Sequence, residues 1–518
     1  MGARDDPTLV LSGHGLRGEA IVRAARGSVR IEADPDALAA VAALHEAARG
    51  AVRAYGRSTG VGGLAGEAVP AAEAEMLSVR LLRSHACGVG APLPEAVVRG
   101  ALVVRANQLL AAGAGVSPDL VRALLAAARW HRLPVVHELG GLGTADLTAL
   151  AEIGLALIGE APAGEPSGPP LRTLGPGEGL ALLSSNAVSL ARAALGLDRL
   201  TTVLESGDVV AGLAARALGA SPEAFEPSVL AQRSLPGEHR AAARVRALLG
   251  AQAAAPGAGA ARRRIQDPYP LRCVPQLHGA ALEALEDAWR HLEVECNGAS
   301  ENPLYALAGH TDPGQGRVAV RHHGGFLTLS LTLSLDRLRA ALLSVGLGST
   351  GRLGLLVDPA RTGLRAFLAT GPEGSSGVML AEYVAQAALS RLRWAAAPAT
   401  GWPVAVSLGT ETLASWLPLS VEQLEMATDA LAQVLGAELL AALRAARLSN
   451  HPLPAIALPL AALAVASGEN DADAPLGGAL EALAGAIRTG LGRDPRVTDH
   501  QDTTLAGELG RQPQAPLA

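Results

Sequence analysis

Three long stretches rich in leucine and alanine, at residues 327–347, 381–396 and 421–448, contain no proline and limit what this chain can fold into. Leu and Ala lose little on entering a helix, and regular period-two alternation between turn residues is scarce, so an all-α, mainly helical bundle is expected. Glycine- or proline-rich breaks fall at 56–66, 162–179 and 253–264, and residues 497–518 read as a frayed polar tail. No self-similar period recurs, which argues against a solenoid. The expected organisation is an N-terminal domain over 1–190, a central helical bundle over 191–450, and C-terminal helices with a flexible tail over 451–518.

Composition narrows the function classes. With 518 residues, 49% of them hydrophobic and 18% charged, the chain can bury a large core. A formal charge of −6, with no basic stripe interleaved with aromatics, argues against a nucleic-acid partner. The apolar run at 455–466 is about half the length a membrane span needs and is interrupted by Pro459, so it reads as buried helix and no membrane partner is expected. The N-terminus, with Arg4, Asp5 and Asp6, lacks the apolar core of a signal peptide, so a cytoplasmic location is expected.

The three cysteines, Cys87, Cys273 and Cys296, show no metal-binding spacing and are expected as reduced thiols. His322 and His323 are adjacent, so their side chains diverge, and a surface or turn role without metal is expected. The Lys+Arg count of 43 is arginine throughout, so no lysine is available for a Schiff base. Amine chemistry here would need another electrophile.

Two of the four tyrosines have unusual settings. Tyr55 opens the loop Gly56-Arg57-Ser58-Thr59-Gly60-Val61-Gly62-Gly63, and Tyr269 lies within Gln266-Asp267-Pro268-Tyr269-Pro270-Leu271-Arg272-Cys273. A glycine-rich loop lets backbone approach a ligand, and Arg272 offers a fork for a carboxylate, although residue types alone favour a structural turn for each tyrosine. A phenol titrates near ~10, so a tyrosine base needs cations nearby. Arg57 and Arg272 are candidates by sequence proximity. No strand pattern precedes Gly60-Val61-Gly62, so it does not read as a dinucleotide fingerprint.

The ordered set Tyr55-Gly-Arg-Ser-Thr-Gly-Val-Gly, Arg83-Ser-His-Ala-Cys-Gly-Val-Gly, Arg105-Ala-Asn, Asp146-Leu, Glu178-Gly-Leu-Ala-Leu, Gln266-Asp-Pro-Tyr-Pro-Leu-Arg-Cys and Glu301-Asn-Pro-Leu resembles the histidine and aromatic amino acid ammonia-lyase and aminomutase family. That resemblance implies a fold with a long central helical bundle and a homotetramer with shared active sites. It implies a small-molecule amino acid, or a related amine or carboxylate, as substrate. Tyr55 would be the general base, Arg272 the carboxylate clamp and Tyr269 the neighbour of the electrophile, with Glu411 retained beside them. Ser84 and His85 stand where the family senses the substrate's ring, and Ser184, Asn186 and Phe326 would line the substrate.

The family forms its electrophile, a methylidene-imidazolone, from an Ala-Ser-Gly backbone without a bound cofactor. Here that tripeptide is Gly143-Thr144-Ala145. Ala145 at the attacking nitrogen lacks glycine's freedom, and dehydrated Thr144 would give a bulkier alkene, so the segment is expected to stay an ordinary peptide. The family's Asn-Gly-Thr is Ser184-Ser185-Asn186, its Gly-Asn-Phe-His is Gly324-Gly325-Phe326-Leu327, and its Gln-Glu-Asp is Thr410-Glu411-Thr412. Three readings stay open: a lyase or aminomutase using the ring; a ring-free elimination or cyclisation enzyme of specialised metabolism using the same pocket; and a non-catalytic ligand-binding homologue.

Overall fold

The computed structural model describes residues 7–49, 53–160, 173–233, 235–250, 265–307, 318–450, 452–465 and 473–491. Most of the break at 162–179, all of 253–264, the tail at 497–518 and Arg4, Asp5 and Asp6 lie outside them. The N-terminal portion runs β1 (Thr8–Leu11), α1 (Gly18–Ala25), β2 (Arg30–Ala33), α2 (Pro35–Ala48), α3 (Ala74–His85), β3 (Val89–Pro92), α4 (Glu95–Leu110), α5 (Pro118–Ala127), β4 (His137–Leu139), α6 (Leu147–Leu157) and α7 (Glu178–Leu183). Then come α8 (Ala187–Ala217), α9 (Pro227–Leu230), α10 (Pro236–Leu249), α11 (Tyr269–Arg272), α12 (Val274–Cys296), β5 (Leu304–Leu307), β6 (Val318–Arg321) and α13 (Leu329–Val357). Finally α14 (Pro359–Thr362), α15 (Met379–Ala395), α16 (Leu417–Leu448), α17 (Leu458–Val465) and α18 (Gly477–Thr489) complete the order. Among the described residues the strands form three two-stranded ribbons, parallel for β1–β2 and antiparallel for β3–β4 and β5–β6.

All three leucine- and alanine-rich stretches are helices. The stretch expected at 327–347 begins at Leu329 and extends to Val357, and two of its later glycines sit at close helix crossings. A Cβ on Gly348 would lie 2.6 Å from Leu277 of α12, and one on Gly351 would lie 2.7 Å from Pro270 of α11. Local order also follows sequence in α2, where the Asp34 carboxylate accepts from Asp36 N and Ala37 N ahead of Pro35 in the first turn.

α16 is the central helix, packed against α8, α13, α15 and α18, while α12 bridges α8, α10 and α13. Buried arginines tie the bundle. Arg352 of α13 donates to both Glu438 carboxylate oxygens of α16 at 2.6 and 2.9 Å, and Arg339 of α13 reaches Ala395 O of α15 and Ser420 of α16. One apolar cluster runs from Leu11 to Leu491, and the boundary expected at 190/191 falls within α8.

Among the described residues, three helical spans are long and apolar enough to cross a bilayer, a length that the run at 455–466 does not reach. The apolar windows of those containing α8 and α16 are mostly buried within the fold, and that of α13 only half so. The reason lies in the alternation Leu329, Leu331, Leu333, Leu335. On a helix, Leu331, Leu335, Leu338 and Leu342 form a buried stripe, which leaves Leu329 and Leu333 on an outward face. Within 455–466, Ala457 and Leu460 are buried but Leu458 is exposed, and Pro459 sits in the first turn of α17, where its missing N–H costs no helical bond.

Candidate functional site

The turn between β4 and α6 carries Gly143-Thr144-Ala145. Gly143 has φ +87, and a Cβ there would collide with Ser415 Oγ and come within 2.8 Å of Trp416 N. Ser415 Oγ donates to Gly143 O at 2.9 Å, and Trp416 N–H donates to Leu142 O at 2.9 Å. Thr328 Oγ1 meets Ser415 Oγ at 2.9 Å, so the starts of α13 and α16 close on the turn together. Thr144 is half-buried and Ala145 is buried. Asp146 then anchors α6 to α8: its N–H donates to Ser185 O, and its carboxylate accepts from Ser189 N and Ser189 Oγ, both at 2.7 Å. Burial pushes the Asp146 carboxyl up from 3.8 to about 6, against the lowering effect of those bonds.

Around this turn, Asn186 Nδ2 donates to Phe326 O at 2.8 Å, while the buried Asn186 Oδ1 has no hydrogen-bond partner among the described residues. Ser184 Oγ accepts from Asn302 N–H at 3.0 Å, and Asn302 Oδ1 accepts from His323 N–H at 3.1 Å. His323 Nε2 donates to Glu301 O at 2.7 Å and its Nδ1 accepts from Gly325 N–H at 2.9 Å, which assigns the neutral Nε2–H tautomer. The expected turn role of His323 is what these bonds describe. Beneath, buried Arg105 pairs with Glu301 at 2.9 Å, and Gln108 Oε1 accepts from Ser185 Oγ at 2.6 Å.

Tyr55 approaches through the glycine-rich loop. Its phenol oxygen accepts from Gly62 N–H at 2.6 Å, and Gly63 N–H donates to Ser407 Oγ at 2.9 Å. Gly56 has φ +68, and a Cβ there would strike Leu180 of α7, so the loop needs glycine at that point. Val406 and Glu411 bridge each other, which places Glu411 on the segment that ends in Ser415 and Trp416. The exposed His322 ring stands edge-on to Tyr55, with centroids 6.5 Å apart. Burial raises the Tyr55 phenol; the Gly62 N–H opposes that and the Glu411 charge adds to it. The expectation that Arg57 would favour the phenolate is corrected. Arg57 donates to Ala48 O at 2.7 Å, and its charge acts on Tyr305.

The remaining candidates divide. Ser84 and His85 sit at the end of α3, and their hydrogen bonds run back to Leu81 O within its last turn. Tyr269 and Arg272 form α11, with the guanidinium stacked 4.6 Å from the Tyr269 ring centre and Arg272 Nε buried without a hydrogen-bond partner among the described residues. Arg352 donates to Pro270 O, so α11 is fixed beside Gly351 and Arg352. At 1.5 Å per residue, that is about 34 Å along α13 from Thr328. One chain therefore gathers Tyr55, Glu411, Phe326, Ser184, Asn186 and Gly143, and keeps Tyr269 and Arg272 apart from them. Thr328, Ser415, the contacts of Asn302 and the position of His322 beside Tyr55 escaped sequence reasoning, because only tertiary contacts give them a role. Cys87, Cys273 and Cys296 are free thiols, and among the described residues no cluster of His, Cys, Asp and Glu could hold a metal.

Comparison with known proteins identifies the family and the fold. The aromatic amino acid lyase family model matches residues 16–467. Histidine ammonia-lyase of Rhodospirillum rubrum is 33% identical over 452 residues, 84% of this chain and 86% of that protein. Histidine ammonia-lyase of Paracidovorax citrulli is 35% identical over 454 residues, 84% and 87% of the two chains. The fold matches ergothionase from Treponema denticola, solved with desmethyl-ergothioneine sulfonic acid, at a TM-score of 0.84 and 23% identity, covering 93% of this chain and 99% of that one. It matches tyrosine aminomutase from Streptomyces globisporus at 0.82 and 24% identity, covering 93% and 97%. From its ordered motifs, its helical bundle and these relatives, the chain belongs to the aromatic amino acid lyase family.

Proposed function

We propose that this protein is a carbon–nitrogen lyase or aminomutase-like enzyme acting on an aromatic or histidine-like amino acid, or on an amine or carboxylate derived from one. The observation that carries the reading is the Tyr55 phenol, held by Gly62 N–H at 2.6 Å next to Glu411 and His322, beside the 406–416 segment whose far end clamps the Gly143 turn. Tyr55 takes the proton from the carbon β to the amine. The released electron pair becomes the carbon–carbon double bond as the amine departs with its own bonding pair.

Burial and Glu411 both hold the phenol protonated in an isolated chain, so the base needs a cation brought to it. Arg272 of a second copy meets that need and also grips the substrate carboxylate with its planar fork. This reading therefore includes a homotetramer with shared sites. The outward Leu329 and Leu333 of α13, with Tyr383 and Trp394 of α15, supply apolar surface for such an assembly.

The family's prosthetic ring does not suit the residues present. Gly143 holds a left-handed conformation against Ser415, Thr144 is β-branched, Ala145 is buried, and the Asn186 carboxamide is turned to Phe326 O. The elimination is accordingly ascribed to side chains alone. Intact mass tests this first, with the unmodified chain expected and a chain lighter by one or two waters overturning it. Assays with L-histidine, L-tyrosine and L-phenylalanine, and with amines and carboxylates derived from them, then test the chemistry. Failure to form an alkene or a β-amino isomer from any of them would overturn the reading.

A further inference from the structure

We infer that the N-terminal portion carries an anion site built for the phosphate chain of a small molecule, sharing no residue with the Tyr55 site. α1 and α5 both end at a depression of about 500 Å³ lined by Arg26, Arg30, Arg99, Arg129 and His131, with Trp130 as its apolar wall. Among the described residues no carboxylate lines it, in a chain whose formal charge is −6. Such a concentration of one sign in a concave surface draws in anions.

Cations at helix C-termini have an ordinary use, because the last carbonyls carry partial negative charge. Here one residue already meets it. Arg99 Nε donates to Ala128 O at 3.2 Å and its NH1 to Ala25 O at 3.1 Å, which answers both helix ends. Arg26 is paired with Asp198 at 2.6 Å. Arg30 and Arg129 are exposed, and among the described residues neither has a carboxylate partner, so their charge is surplus. Gly27, at φ +73, leaves the Arg99 guanidinium open to the depression, since a Cβ there would rest 3.7 Å from NH1 and 3.8 Å from Cζ.

Size and chemistry select the occupant. The volume lies in the range of small-molecule sites, roughly 300–1,000 Å³. Trp130 is buried and offers no stacking face to nucleic-acid bases. The Arg30 and Arg129 forks, without carboxylate partners among the described residues and set on one floor beside Arg99, suit the adjacent phosphates of a di- or triphosphate better than a single carboxylate.

Isothermal titration of the full chain with sodium triphosphate, at about 100 mM salt so that loose surface attraction is screened, tests the site. One saturable event per chain is expected, weakened tenfold or more in Arg30→Ala/Arg129→Ala and unchanged in Arg80→Ala/Arg361→Ala. Circular dichroism checks that each variant is folded. Should the double variant melt early, the single variants Arg30→Gln and Arg129→Gln are read in the same way. Absence of a saturable event, or equal affinity in the depression variants and the parent, overturns the site.

Discussion

At the scale of single residues, the proposed chemistry rests on Tyr55 and Arg272, and Asp146 anchors the Gly143 turn to α8. A positioned general base contributes ~10²–10⁴-fold, so Tyr55→Phe should lower turnover by about that factor, with thermal melting confirming an intact fold. Equal turnover in that variant would remove tyrosine from the mechanism. Arg272→Lys should raise KM more than it lowers kcat, because lysine cannot reproduce the fork. Asp146 makes a pH prediction whose sign follows from its carboxyl being raised to about 6. The native state holds this proton more tightly than the unfolded chain, so the group favours folding most at low pH, and that contribution falls as pH rises from about 4 to 6. Asp146→Asn lacks this loss. The stability deficit of the variant should therefore shrink by about 1–3 kcal/mol between pH 4 and pH 7 in urea unfolding. A deficit that grows with pH would contradict the burial argument.

At the scale of elements, α13 shows how glycine can mean opposite things within one helix. Alanine in place of a helical glycine gains about 1 kcal/mol in propensity, whereas overpacking costs about 1–3 kcal/mol. Among the described residues only Glu382 Oε1 lies near the missing Cβ of Gly354, at 3.9 Å, so Gly354→Ala should stabilise the protein. Gly351 faces the rigid Pro270 ring at 2.7 Å, so Gly351→Ala should destabilise it and loosen the seat of α11, which carries Tyr269 and Arg272. Thermal unfolding of the two variants decides, and shifts of the same sign would show that packing at α11 does not govern the helix. The sequence marks both positions with the same residue, and the neighbour that separates them lies some 80 residues away in the chain.

At the scale of the whole molecule, the two-faced apolar character of α13 and the distance between Tyr55 and α11 make assembly part of the proposed function. Light scattering at micromolar concentration should show a tetramer, and Leu333→Glu with Trp394→Glu should shift it to smaller species and abolish turnover. A monomeric parent would defeat the shared-site mechanism. Burying Leu329, Leu333 and Trp394 between copies would stabilise the assembly by roughly 25 cal/mol per Å² of apolar surface.

The sequence alone determined the helical class and most of the long helices, because leucine- and alanine-rich runs without proline leave few other choices. Its motifs, in order, also identified the family and pointed to Tyr55, Glu411 and the altered Gly143-Thr144-Ala145 turn. Tertiary structure decided what those residues touch. Arg57 stands two residues from Tyr55 yet turns to Ala48 and Tyr305, His322 comes edge-on to the phenol, and Ser415 reaches Gly143 across 272 positions. Helix length and composition follow from local propensities that each residue carries with it. The partner of a hydroxyl, a phenol or a guanidinium depends on which distant elements the packed core brings alongside, and neighbouring positions in the chain do not encode it.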